Sequence, residues 1–187
     1  MLIKNNLFLL ITITLSIICL LITTNVHAES NKRYQFINKE IRVRVTPRSP
    51  QQMAAFYEGR GFSKKMVNAL IQPCFFTVGI HNKTSDILWH DLSKWKFANN
   101  SGDIKHLDRA YWKDKWKKMQ IPLAHQSTFR WTLLPESLDF RSNEHEGGNI
   151  ILPYSTNKFT LQVAFKTKKD KSGKLIPIKI ENIQCQR

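Results

Sequence analysis

The residues of this sequence whose chemistry reaches beyond packing are its histidines, its cysteines and a set of tryptophans interleaved with lysines. A metal ion needs imidazoles near enough for one ion to reach both, and short spacings on one element provide that. His81, His90, His106, His125 and His145 form no H-x-x-H, H-x-x-x-H or H-E-x-x-H. The best composite is His81 with His90 and Asp91, on two strands expected to pair, and this is the candidate metal site. His145, between Glu144 and Glu146, is a second position from which a loop offers ligands. Met53, Met66 and Met119 make no methionine- or histidine-rich copper motif.

Nucleophilic chemistry finds less support. There is no G-x-S-x-G elbow. Cys74 has apolar neighbours, Phe75 and Phe76, which suit burial or a disulfide rather than a reactive thiolate. The segment His81–Asp86 and the pair His90–Asp91 hold fragments of two phosphohydrolase signatures, without the second copy or the further histidines those chemistries need. Glu136, Asp139, Glu144 and Glu146 gather in one segment that reads as a solvated acidic loop, with a glycosidase-like pair or a weak calcium loop as the alternatives. No catalytic residue is named, and no cofactor is implied. Cys74 and Cys185 allow one pairing in an oxidising compartment, and a disulfide between them is expected.

Trp112, Lys113, Lys115, Trp116 and Lys117 mix indole with ammonium on one expected helix, a candidate basic and aromatic surface for stacking sugars or bases. Tryptophans four apart on an amphipathic helix also suit a core, and that is the competing reading.

These residues need elements to position them. Ile41, Val43 and Val45 alternate with Arg42 and Arg44, a period of two that buries the aliphatics and turns both arginines outward. Ser49, Pro50 and Gln52 form a helix start with a capping box, Gly59 and Gly61 stop that helix, and Ser63 caps another. A helical insertion over about 49–71 follows. The apolar run Cys74–Ile80 suits a central strand, and with Ile87–Phe97 it is expected to form a central hairpin around the turn-rich HNKTSD. A third helix is expected over about 106–119, with Asp108 as its cap. Strands are expected at 127–134, 149–152, 159–165 and 175–185, with Pro177 marking an edge or a bulge. The fold class is therefore mainly β: an immunoglobulin-like antiparallel β-sandwich with helical insertions at about 49–71 and 106–119.

Residues 1–28 have the form of a secretory signal peptide: Lys4, an apolar run from Leu7 to Ile22, and a small-residue end at Val26-His27-Ala28. Residues 29–187 are expected to form a single domain, periplasmic or secreted, with no transmembrane segment once the signal is cleaved. Net charge is +15, which favours acidic partners. The runs CFFTVGIHNKTSDILWHDLSKWKF, LDRAYW, PLAHQSTFRWTLLPE and GGNIILP resemble a family of small secreted proteobacterial proteins. TLLP followed by GGNIILP also resembles immunoglobulin-like bacterial modules. The resemblance implies an extracytoplasmic setting and assigns no residue a role. The functional expectation is a non-catalytic binding module for an anionic envelope component or a protein partner. A periplasmic metal-binding protein or a cell-envelope hydrolase is the alternative.

Overall fold

The computed structural model describes residues 33–187. The expected signal peptide lies outside them. Among the described residues, ten strands form two antiparallel sheets, and four short α-helices lie against one of them. The strands are β1 (Tyr34–Ile37), β2 (Ile41–Arg48), β3 (Cys74–Asn82), β4 (Leu88–Asp91), β5 (Lys96–Asn99), β6 (Gly102–Asp103), β7 (Ser137–Phe140), β8 (His145–Leu152), β9 (Phe159–Thr167) and β10 (Leu175–Ile183). The helices are α1 (Pro50–Glu58), α2 (Lys64–Leu70), α3 (Arg109–Lys118) and α4 (Leu123–Trp131).

One sheet has the order β1-β2-β3-β8. In the other, β9 is the spine. It pairs with β10 along one side, and with β5 and then β4 along the other. Alternation explains the core between them. Val43, Val45, Phe76, Val78, Ile80 and Ile150 from the first sheet meet Leu161, Val163, Phe165, Ile176 and Ile178 from the second. Among the described residues β10 pairs with β9 alone, so Pro177 sits on an edge strand. Cys74 and Cys185 are disulfide-bonded with Cα atoms 5.6 Å apart, closing the start of β3 onto the C-terminal segment. In the chain-entropy view, a link across 111 residues stabilises by up to about 4–5 kcal/mol.

The outer face of the four-stranded sheet carries a second core. Phe75 and Ile151 point away from the sandwich and meet Met53, Tyr57, Met66, Leu70, Trp112, Trp116 and Phe129 from the helices. The capping box of Ser49 and Gln52 forms, Ser63 caps α2, and Asp108 accepts from Tyr111 N at 2.8 Å to start α3. Helices therefore cover one part of this face and leave the rest open.

Three expectations are corrected. β3 and β4 do not make a hairpin: β3 pairs with β2 and β8, while β4 belongs to the other sheet with β7 and β9. The fully buried Asn82 turns the chain between sheets, its amide donating to Asp86 O at 2.6 Å and to Phe140 O and Arg141 O at 2.9 Å. The second correction concerns residues 127–134, which are not a strand. Leu123–Trp131 is helical behind Pro122, burying Phe129 and, past the helix end, Leu133 four residues on. The third concerns the polar segment after Pro135, which holds β7 and the first half of β8.

Candidate functional site

The open part of the four-stranded sheet forms a groove, and strand register decides its lining. Arg42 lies opposite His81, and His81 opposite His145; Arg44 lies opposite Gly79, and Gly79 opposite Gly147. Two arginines, two imidazoles and a floor of two glycines thus share one face. A Cβ at Gly79 would meet nothing within 4 Å, so the space directly above this floor is open. At Gly147 a side chain would run into the backbone of Val78, which restricts the position to glycine. The recess here, about 350 Å³, is lined by Arg42, Arg44, His81, His145 and Glu146.

The groove continues past Gly147 into a second recess of about 650 Å³. Arg48, Gln52, Arg60, Thr77, Asn149 and Trp131 line it. Its back wall is a polar relay. Arg48 Nε donates to Thr77 Oγ1 at 2.8 Å, and Thr77 Oγ1 donates to Asn149 Oδ1 at 2.9 Å. Asn149 also binds the end of α4 through its backbone, accepting from Leu134 N at 3.0 Å and donating to Thr132 O at 2.8 Å. That anchor holds Trp131 at the rim, where it is 80% exposed. Behind it, Tyr57 OH hydrogen-bonds Thr132 Oγ1 at 2.8 Å, and burial pushes the phenol up to about 12, so it stays neutral.

The electrostatics are one-sided. Nε of both Arg42 and Arg44 is buried and has no hydrogen-bond partner. Among the described residues, no carboxylate pairs with Arg42, Arg44, Arg48 or Arg60; the ion pairs present join Lys174 to Glu40 and Lys179 to Glu181. Glu146 is the acidic residue among those lining the two recesses. Arg60 folds over the Phe56 ring at 3.5 Å and donates to Phe56 O at 2.8 Å. A guanidinium is always charged, and an unpaired one at a half-buried position is suited to receive an anion from outside.

The sequence-derived metal composite is not assembled. His81 lies on β3, with Nε2 2.9 Å from Asn143 Oδ1 and its ring stacked 3.5 Å from that of His145. His90 lies on β4 in the other sheet and points into the sandwich core, 5.8 Å from the Trp95 ring. Burial lowers its pKa to about 4. Asp91 is exposed and caps the following turn, accepting from Ser93 Oγ at 2.6 Å, which holds its carboxyl below the usual range. Among the described residues, no three His, Cys, Asp or Glu side chains gather where an ion would fit.

The expected tryptophan–lysine surface also divides. Trp112 and Trp116 are 1% and 2% exposed and pack on Phe129, with ring centroids 5.0 and 5.3 Å away. Lys113 and Lys117 are exposed and Lys115 half-buried, reaching over Trp112 at 5.3 Å. Spacing of i and i+4 puts both indoles on the face turned to the sheet, and the exposed ring beside the lysines is that of Tyr111, with Lys115 5.7 Å over it.

In the sequence Arg42 and Arg44 read as solvent-facing, Trp131 is one of several tryptophans that could stack sugars or bases, and Arg48 and Asn149 carry no functional signal. The alternating arginines of β2 are the signal for the first pair. Nothing local signals that glycines stand beside them, because that depends on register.

No family model and no curated protein matches the chain. Among solved structures it is similar to a candidate lipoprotein from Bacillus subtilis, with 12% identity and a TM-score of 0.41 over 79% of this chain. This chain spans 38% of that protein's length.

Proposed function

We propose that this protein is a non-catalytic, extracytoplasmic binding module that takes an anionic ligand in the arginine-lined groove of its four-stranded sheet. The observation that carries this is that Arg42 and Arg44, half-buried over the Gly79 and Gly147 floor, have no carboxylate partner among the described residues. Both guanidiniums stay charged, and without a carboxylate beside them they suit a carboxylate or phosphate from outside. The net charge of +15 draws anions toward the groove. The leader-like residues 1–28 support an extracytoplasmic setting.

The test is retention on an anionic matrix at increasing salt, comparing wild type with Arg42→Ala/Arg44→Ala. Binding by the groove gives a salt-dependent retention that falls well beyond the effect of removing two lysines elsewhere, such as Lys113→Ala/Lys117→Ala. Equal losses for both double variants would mean that the charge acts diffusely and the groove is not the site.

A further inference from the structure

We infer that the ligand of this groove is a linear acidic glycan, with one sugar ring seated on Trp131 and its carboxylates spaced along β2. The inference rests on the anion-binding reading above and adds a ligand class to it.

The arginines suit a chain rather than a single small ion. Arg42, Arg44 and Arg48 all lie on the outward side of β2, at even register positions. At about 3.4 Å per residue they sit about 7 and 14 Å apart, a line of about 20 Å. One phosphate or carboxylate reaches one or two of them; a repeating anion reaches all three. Arg48 at the far end has its Nε committed to Thr77, which fixes the guanidinium and leaves its Nη groups for a ligand.

The rim of the second recess supplies what a sugar ring needs. Trp131 is a bulky aromatic 80% exposed beside a polar recess, held there by the Asn149 anchor on the next residues of the chain. An indole presents a flat apolar face for the C–H face of a pyranose. The same recess holds Arg48 and Arg60, whose guanidinium N–H groups match a carboxylate and a ring hydroxyl. A single-stranded nucleic acid also combines anions with rings. It calls for a succession of stacking platforms. In the second recess Trp131 is the exposed indole and Phe56 is covered by Arg60, while the other rings along the groove, His81 and His145, are stacked on each other.

The experiment is calorimetric titration of the purified protein with a hexamer of galacturonate, with neutral maltohexaose, with a ten-nucleotide oligothymidylate and with inorganic phosphate. Wild type, Trp131→Ala, Trp131→Phe and Arg44→Ala are compared, with thermal melting as a check on folding. The expected result is tightest binding of the galacturonate hexamer. Trp131→Ala weakens it about tenfold, Trp131→Phe less, and the melting temperature does not change. Arg44→Ala weakens it by a similar factor and flattens its salt dependence. Tighter binding of oligothymidylate overturns the glycan in favour of nucleic acid. Hexamer binding that is unchanged in Trp131→Ala but lost in Arg44→Ala overturns the ring subsite while leaving the anion reading standing. No binding of any anion by wild type overturns both.

Discussion

At the scale of single residues, identical side chains do different work according to the face they occupy. Trp112 and Trp131 differ most. Trp112 is buried against Phe129 and Trp116, so Trp112→Ala is expected to destabilise by about 3–5 kcal/mol in denaturant titration. Trp131→Ala, at an exposed position, should leave the unfolding midpoint within about 0.5 kcal/mol of wild type. His90 gives a prediction in pH. Its folded pKa is lowered to about 4 by burial, so the unfolded state binds the proton first as pH falls below its ordinary value. Stability is complete above about pH 6.5 and declines toward pH 4, by up to about 3 kcal/mol from this one group. Burial shifts His106 the same way. His90→Leu should therefore lose less stability than wild type between pH 6.5 and 4, measured by urea unfolding across that range. Parallel pH profiles for the two proteins would remove His90 from the account. In the sequence, these tryptophans and histidines were visible as types; their burial was not, because it depends on what covers each face.

At the scale of elements, local chemistry was legible where it is self-contained. The capping box at Ser49, the cap at Asp108 and the alternation along β2, β9 and β10 all follow from neighbours within a few residues. What the chain does between elements was not legible. Period-two alternation in β3 and β4 states which side chains point inward, and it is silent on which strand lies alongside. Asn82 decides that, through hydrogen bonds to residues up to 59 positions away. The segment STFRWTLL has β-branched and aromatic residues that favour a strand by propensity, and packing of Phe129 against the indoles overrides it. The same long-range dependence hid the groove: Arg44 meets Gly79 and Gly147 only through the register of three strands. A Cβ at Gly79 meets nothing within 4 Å, so Gly79→Leu is expected to extend its side chain into the recess between Arg44 and Gly147. It is expected to block ligand retention while the melting temperature stays near that of wild type.

At the scale of the whole molecule, three layers share one purpose. The sandwich core holds the four-stranded sheet, the helices cover one part of its outer face, and the uncovered part keeps unpaired arginines at half-buried positions. The Cys74–Cys185 link ties the central strand of that sheet to the chain end. Cys74→Ser/Cys185→Ser should lower stability by about 2–4 kcal/mol in denaturant titration, with anion binding preserved at temperatures where the variant is folded. Two reactive thiols in unreduced, denatured wild-type protein would contradict the bond. The proposed ligand site is the groove and not the overall charge. The most direct measurement is the dissociation constant for the galacturonate hexamer as a function of salt, for wild type and Arg42→Ala/Arg44→Ala. At least about a tenfold weakening and a shallower salt slope are expected in the double variant. An unchanged constant and slope would contradict the groove as the site.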